Sequence, residues 1–387
     1  MDFSLSEEQL EIRAAVRDLC AKYPDAYWRE LDKHTEYPEQ FVAALTEAGW
    51  LAALIPEAYG GAGLGFTEAA LILEEINHSG GNATTAHAQM YTMGTLLKHG
   101  TDAQKRTYLP KIASGELRLQ AFGVTEPNAG SDTTRIETRA VKQGDRYVIN
   151  GQKVFISRAE HTDLMLLLAR TAPYDEAHRA QGLSVFLVDV KQAVASGQLT
   201  IRPLDLMINH HTTQLYIQDL EVPAENLVGV EDQGFRHILD SMNVERVLVA
   251  SEALGDGRWF VDRAAKYTSE RIVFGKPIGA NQGVQFPIAQ AHARLEAADL
   301  MRLKAAWMID RGGNPGPEAN MAKLLASQAS WEAANACLDA HGGYGFAAEF
   351  DVERKFRETR LFMTAPVNNN LILAYIGQNV LEMPRSY

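Results

Sequence analysis

Cysteine is nearly absent from this chain: 387 residues include only Cys20 and Cys337. Two residues so far apart form neither a metal-ligand spacing nor a disulfide framework, so a reducing compartment fits and a cytoplasmic location is expected. Long apolar runs are also missing. None approaches the ~18 residues that suggest a membrane span, and the opening Met-Asp-Phe-Ser-Leu-Ser-Glu-Glu is unlike a signal peptide. Ser4 and Glu7 have capping-box spacing, which predicts a helix starting almost at the first residue and leaves no room for a targeting leader. Basic charge is scarce: 37 Lys and Arg stand against 49 Asp and Glu, a net charge of −12. This argues against bulk binding of a polyanion, so nucleic acid is not an expected partner, while a local pocket for one phosphate stays compatible. Neither a Walker loop nor a nucleophile-elbow serine occurs. His210 and His211 are neighbours whose side chains diverge on strand or helix, and His87 stands alone, so metal catalysis is not expected.

What the chain does have is a globular composition, 46% hydrophobic and 22% charged, and a length suited to two or three packed domains. From about residue 6 to 116, apolar residues recur at helical spacing, as in Leu10, Ile12, Val16 and Leu19. The glycine cluster Tyr-Gly-Gly-Ala-Gly-Leu-Gly at 59 to 65 reads as a turn. Between about 118 and 228 the texture changes to short β-rich runs at 147–149, 154–156, 164–168, 183–188 and 215–220, with Asn150-Gly151 expected to join the first two as a hairpin turn. With no helices between these runs, an antiparallel sheet or barrel is expected rather than a doubly wound one. Helical patterns return from Gly229. The expected architecture is mainly α with a central β-domain: a helical domain at 1–117, an antiparallel β-barrel-like domain at 118–228, and a C-terminal four-helix bundle at 229–387.

Glu245 interrupts the apolar stripe formed by Phe235, Ile238, Leu239, Met242 and Val249. Burial there raises a carboxyl's pKa, as a general base working near neutrality requires. A structural ion pair with a cation elsewhere explains the same pattern, and both readings stand at this level; Glu252, two turns on, is the reserve candidate. The segment Phe122-Gly-Val-Thr-Glu-Pro-Asn-Ala-Gly-Ser-Asp132 can present N–H groups and hydroxyls to a phosphate or a flavin edge, or can be an ordinary turn.

Over essentially its whole length the chain resembles the acyl-CoA dehydrogenases, which are FAD enzymes. Leu-Ser-Glu-Glu-Gln at 5–9 is similar to the family's opening helix, and Ile-Pro-Glu-Ala-Tyr-Gly-Gly at 55–61 to its first glycine turn. Gly123-Val-Thr-Glu-Pro-Asn-Ala-Gly-Ser-Asp132 resembles its flavin and substrate signature. By this resemblance Phe122, Val124 and Thr125 line the isoalloxazine, and Ser131 lies near pyrophosphate and CoA. Ser157, in Phe155-Ile156-Ser157, contacts flavin N5. Arg271, Phe274 and Gln282 reach the FAD of a neighbouring subunit, and Gly342-Gly343 with Asp339 and Asn368 meet the cofactor. Asn243 and Arg246 lie near CoA. A homotetramer, or at least a dimer, and an electron-transfer flavoprotein as electron acceptor follow from the same resemblance.

Three positions depart from the family pattern. Arg135 replaces a small residue, and Asp339 replaces a glutamine that meets pyrophosphate. The usual C-terminal base is missing, because Ala365-Pro366-Val367-Asn368 stands in its segment. Glu245-Arg246 instead resembles the Glu-Arg step that supplies the base in isovaleryl-CoA and long-chain enzymes. Pro366 also lacks the N–H that the family offers to the thioester oxygen. The expected reaction is α,β-dehydrogenation of an acyl-CoA. The alternatives are altered chemistry on the same fold, enoyl-CoA reductase-like or desulfinase-like, and a non-catalytic flavin-binding protein. His87, Gln89 and Tyr91 either add polarity to the acyl pocket or face solvent.

Overall fold

The computed structural model describes residues 4–385. Helices come first, a sheet follows, and helices return. The first helix, Glu7–Cys20, is capped by Ser6, whose hydroxyl accepts from Gln9 N–H while the Gln9 side chain accepts from Ser6 N–H. The expected Ser4–Glu7 box is therefore shifted by two residues. Ser6 and Gln9 have the same i, i+3 spacing, and the two glutamates then fall in the first turn, where the helix dipole favours them.

The chain packs into two units. One comprises residues up to His34, Gly65–Ala83 and Asn243 onward; the other comprises Thr35–Leu64 and Thr84–Met242. The second unit carries the sheet: β1 (Leu119–Gly123), β2 (Arg139–Gln143), β3 (Arg146–Ser157), β4 (Leu164–Arg170), β5 (Leu183–Asp189), β6 (Leu199–Pro203), β7 (Thr212–Pro223) and β8 (Leu227–Val228). Their order is β6-β7-β3-β2-β4-β5-β8, with β1 paired on β4. Most pairs are antiparallel, but β1 runs parallel to β4 and β2 meets β4 in parallel at Arg139 and Arg170. The sheet is mixed, which corrects the purely antiparallel expectation. β4 is apolar from Leu164 to Ala169, and β5 from Leu183 to Val188 except at the buried Ser184, because both their faces are covered. Leu164, Leu166 and Leu168 join a cluster with helix residues Met93, Leu96 and Leu109, while Met165, Leu167 and Ala169 face Ile149, Leu215 and Ile217.

Asn150-Gly151 is not a turn. β3 runs straight through it, with a register shift between Ile149 and Gly151 where it pairs with β7. The Asn150 amide donates to Asp219 Oδ1 at 3.0 Å and its Oδ1 accepts Asp219 N–H at 2.8 Å, which locks the bulge. A Cβ on Gly151 would lie 2.4 Å from Thr138 Oγ1, so the glycine is needed for close approach. The hairpin lies one step earlier, at Gly144-Asp145 between β2 and β3, with Gly144 at φ +64°. Sequence reading missed it because β2, Arg-Ala-Val-Lys-Gln, is an exposed strand with one buried residue.

The first unit is built on three long helices, Gly234–Glu270 (whose first residues, to Met242, belong to the second unit), Gln282–Asp310 and Gly316–His341. Alanines at 253, 291, 298, 322, 326, 329 and 333 fill much of the core with small side chains that allow close helix approach, alongside Phe260, Leu295 and Phe362. Among the described residues no helix is long and apolar enough to cross a membrane.

Candidate active site

In the second unit, β1 delivers the signature loop. Phe122 is buried at its end and packs near the Tyr91 ring, with centroids 6.0 Å apart. Val124 and Thr125 are half-buried, and Ser131 is exposed. Glu126 pins this loop from inside: its carboxylate accepts the N–H groups of Glu137 and Thr138 at 2.7 and 2.9 Å and the buried Lys153 ammonium at 2.9 Å. Burial works against the charge on Glu126, but Lys153 and the two N–H donors prevail and hold its carboxyl below the usual range. Burial pushes Lys153 down to about 8, with Glu126 opposing the shift. Lys153 also donates to Val124 O at 3.0 Å, and Val154 N–H donates to Thr125 O at 2.9 Å. The signature loop and the end of β3 are thereby tied together. Just beyond the tie, Phe155 sits at φ +58° and is 61% exposed, within a second register shift of β3 against β7. A bulky aromatic with positive φ and an exposed ring is a strained arrangement of the kind that bulges use to re-aim a side chain. Ser157 follows, opposite Thr212.

Arg135 points away from this loop's interior, donating to Glu176 at 2.9 Å with its guanidinium over the Tyr174 ring. The histidines are less isolated than their sequence positions suggest. His210 and His211 do diverge, but His211 meets His161 at 3.2 Å while His210 lies 3.4 Å from Arg158. His87 is near enough to His210 to help keep it neutral, so His87 does not stand alone. His87 and Gln89 are buried, and the Gln89 amide donates to Leu51 O at 3.2 Å, which removes the solvent-facing reading for both. Among the described residues no group of three or more His, Cys, Asp or Glu is placed to hold a metal ion.

In the first unit, Glu245 lies on the helix Gly234–Glu270 and is only 4% exposed. Asn243 and Arg246 are half-buried and hydrogen-bonded to each other, Arg246 Nη1 donating to Asn243 Oδ1 at 2.5 Å. The reserve candidate Glu252 is also buried, and its backbone carbonyl accepts from Asn77 at 3.1 Å. Asp256, a turn further, is buried beside Lys355; burial pushes its carboxyl up to about 7, with Lys355 opposing.

Sequence reasoning missed Lys323. This lysine is fully buried on the helix Gly316–His341 and donates to Val367 O at 2.7 Å and Asn369 Oδ1 at 2.9 Å. Burial and Arg246 depress its proton affinity to about 7, while Glu245 works the other way. The missed signal was in plain view: Lys323 interrupts the small apolar stripe Ala319, Ala322, Ala326 and Ala329, the same pattern that singled out Glu245. Its acceptors lie in and just after the segment Ala365-Pro366-Val367-Asn368. There Asn368 caps the helix Asn369–Tyr375, accepting Leu371 N–H at 2.9 Å.

A separate surface of the first unit gathers the remaining candidates. Arg271 ends the long helix and lies over the Tyr344 ring, 5.8 Å from its centroid. Beyond it, Phe274-Gly275 forms the tip of a two-residue hairpin between β9 (Ile272–Val273) and β10 (Lys276–Pro277), both tip residues at positive φ and Phe274 fully exposed. Gln282 opens the next long helix and is exposed. Asp339 is exposed, and its carbonyl accepts the N–H of Gly342. A Cβ on Gly342 or Gly343 would meet nothing within 4 Å, so their backbone is open to a ligand.

Comparison with known proteins followed the chain from end to end. Residues 6–116 match the model of the acyl-CoA dehydrogenase N-terminal domain, 121–220 the middle domain and 232–381 the C-terminal domain. The acyl-CoA dehydrogenase FadE12 of Mycobacterium tuberculosis is 35% identical over 388 residues, covering 100% of this chain and 99% of that protein. The caffeyl-CoA reductase-Etf complex subunit CarC of Acetobacterium woodii is 34% identical over 92% of this chain and 94% of its own length. Among solved structures, a glutaryl-coenzyme A dehydrogenase in complex with glutaryl-CoA superposes with a TM-score of 0.92 at 31% identity, covering 100% of this chain and 98% of that one.

Proposed function

The chain belongs to the acyl-CoA dehydrogenase family, and from that premise we propose that it oxidises an acyl-CoA thioester between its α and β carbons with Glu245 as the base. The family makes it a flavin-dependent oxidoreductase whose cofactor is FAD. The residues present fit that group: open backbone at Gly342 and Gly343, an exposed strained Phe155, and a signature loop braced by Glu126 and Lys153. When bound, FAD supplies a two-electron oxidant that takes the β-hydrogen as hydride at N5.

The observation that carries the reading is the buried Glu245 carboxylate, combined with the lack of any carboxylate between Arg360 and Leu381, where most of the family has its base. Glu245 takes the α-proton, which the thioester acidifies, and the C–H electrons become the new double bond as hydride leaves the β-carbon. A base held out of water keeps its proton-accepting power, and such a group is worth roughly 10²–10⁴-fold in rate. Phe122, Val124, Thr125, Phe155 and Ser157 line the isoalloxazine in this reading. Ser131, Asn243 and Arg246 hold the CoA side. Arg271, Phe274, Gln282, Asp339, Gly342, Gly343 and Asn368 hold the rest of FAD, some of it on a neighbouring copy in a homotetramer. Electrons then pass to an electron-transfer flavoprotein in a reducing cytoplasm. The Etf complex of the Acetobacterium woodii relative supports that acceptor.

The same relative is a reductase by name, so reduction of an enoyl-CoA is the second reading. Anaerobic single turnover separates the two. The oxidised, FAD-loaded protein is mixed with a panel of saturated acyl-CoAs, flavin bleaching is followed, and the product is weighed. An enoyl-CoA lighter by two hydrogens is expected. Bleaching by none of the saturated thioesters, with the dithionite-reduced protein reoxidised by enoyl-CoAs, would instead assign the reductive direction.

A further inference from the structure

Just beyond β3 stands an arginine where the backbone disfavours one. Phe155 and Arg158 both have positive φ, +58° and +61°, and they bracket Ile156 and Ser157. A bulky side chain in that region is strained, and strain held in place by its surroundings points to a function. Both peptide groups of Arg158 are held: its N–H donates to His211 O at 2.7 Å, and its carbonyl accepts His161 N–H at 3.0 Å. Phe155 is turned outward, whereas Arg158 is buried. Burying a guanidinium costs free energy that an uncharged side chain at the same place would not. The Arg158 charge has no role in the reaction as written so far.

Connected to this guanidinium is a set of four rings from three segments, His210, His211, His161 and Tyr37. An arginine only donates, so His210 Nε2, 3.4 Å from Arg158 Nη2, accepts and the His210 ring is neutral. Burial and then the Arg158 charge hold its proton affinity down. His161 Nε2 and His211 Nδ1 share one hydrogen bond at 3.2 Å, which needs one of the two rings to accept. Burial lowers both of them, with Arg158 acting in the same direction. Tyr37 stacks on His161 with centroids 4.3 Å apart, and its hydroxyl donates to Gln120 Oε1 at 2.6 Å. Behind Tyr37, Arg118 donates to Glu39 at 3.0 Å, a pair of opposite charges. Within this set the four rings are neutral and the guanidinium supplies the charge, which arginine keeps at any working pH.

We infer that Arg158 tunes the bound flavin: its fixed charge, one residue beyond Ser157, favours the reduced over the oxidised cofactor. This rests on the reading that sets the isoalloxazine against Phe155 and Ser157. Adjacent Cα atoms are ~3.8 Å apart, so the guanidinium stays within one arginine length of Ser157. His210 holds it from the segment leading into β7, two residues before Thr212, the partner of Ser157. Hydride transfer moves the electron pair of the β C–H bond to N5 and adds one negative charge to a neutral ring, while the α-proton goes to the base. A buried cation within reach is weakly screened, so it stabilises the charged ring more than the neutral one. The midpoint potential is thereby raised, which favours oxidation of a saturated thioester over reduction of an enoyl-CoA.

The test is the midpoint potential of bound FAD, read by dye equilibration during anaerobic reduction with no acyl-CoA present. The proteins are FAD-loaded wild type, Arg158→Met, Arg158→Lys and Ser157→Ala. Arg158→Met is expected to lower the potential by about 30 mV or more, a tenfold or larger shift against the reduced form for a two-electron couple. Arg158→Lys keeps a cation, so its potential is expected to stay closer to wild type than to Arg158→Met. A purely structural arginine predicts weaker FAD retention in Arg158→Met with an unmoved potential, and that result overturns the proposal. Where Arg158→Met holds FAD weakly, the dissociation constants of oxidised and reduced FAD are measured instead. Preferential loss of the reduced form by about tenfold supports the proposal, and equal loss of both forms overturns it. If that variant binds neither form, His210→Glu and His210→Gln decide, because the glutamate sets a carboxylate against the guanidinium. A potential lower in His210→Glu than in His210→Gln supports the proposal, and equal potentials overturn it. Ser157→Ala keeps the two failures apart. An unchanged flavin spectrum in Ser157→Ala overturns the placement of the ring beside Ser157, whereas a changed spectrum with an unmoved potential in Arg158→Met overturns only the role of Arg158.

Discussion

A charged residue inside an apolar stripe was the most informative signal at the level of single residues, and it applies twice. Glu245 was legible because five apolar neighbours mark its helix face. Lys323 obeys the same rule but stands among alanines, whose weak hydrophobic signal hides the stripe. The bracing pair Glu126 and Lys153 was not legible at all, because its members are 27 residues apart and meet only through the tertiary fold. Removing one member leaves a buried charge uncompensated, so Lys153→Met is expected to destabilise the protein by about 3 kcal/mol in chemical denaturation. Adding Glu126→Gln should restore part of that loss, since the unpaired charge is then gone. His161 gives a pH prediction. Burial, together with His211, pushes it down to about 4, with Tyr37 stacked on its ring at a centroid distance of 4.3 Å. Its folded pKa is below the unfolded value, so the unfolded chain binds more protons between pH ~4 and ~6.5. Its contribution is present above that window and is lost as the pH falls through it. His161→Gln should therefore flatten the drop in denaturation midpoint between pH 7 and pH 5; an unchanged drop would show that other groups cause it.

Among elements, helices and buried strands were readable, while connections were not. β4 announces itself by continuous apolar residues and β5 by a run broken only at Ser184, and the long helices by periodicity. The Asn150-Gly151 pair carries the strongest short-range hairpin signal, yet the Asn150 side chain holds Asp219 on the neighbouring strand and the glycine admits Thr138. A turn preference worth little was overridden by pairing along twelve residues. Gly151→Ala would press a methyl group against Thr138, so a loss of about 1–3 kcal/mol is expected from thermal or chemical unfolding. A neutral result would mean that β3 can shift at the bulge without disturbing β7. The capping box moved for a different reason: Ser4/Glu7 and Ser6/Gln9 satisfy the same spacing rule, and only the second keeps both glutamates inside the first turn.

At the scale of the whole molecule, the helix–sheet–helix order followed from changes in texture at about residues 118 and 229, and the resemblance of the signature loops named the family. The mixed sheet did not follow, because β1 is too short to reveal its direction. The exposed apolar residues Ile272, Phe274, Phe286, Tyr344 and Phe346 all lie on the first unit, and their exposure supports assembly with other copies. Phe274→Glu is therefore expected to lower the oligomeric mass in light scattering and to weaken FAD retention in the same preparation; loss of neither would place this hairpin outside the subunit contact. The central claim is that Glu245 performs the proton abstraction, and one measurement bears on it most directly. FAD-loaded wild type and Glu245→Gln, matched in flavin content, are mixed anaerobically with the acyl-CoA that bleaches the wild type fastest. The account predicts that Glu245→Gln still binds the thioester, perturbing the flavin spectrum, but bleaches at least about 10²-fold more slowly. Bleaching at the wild-type rate would contradict it.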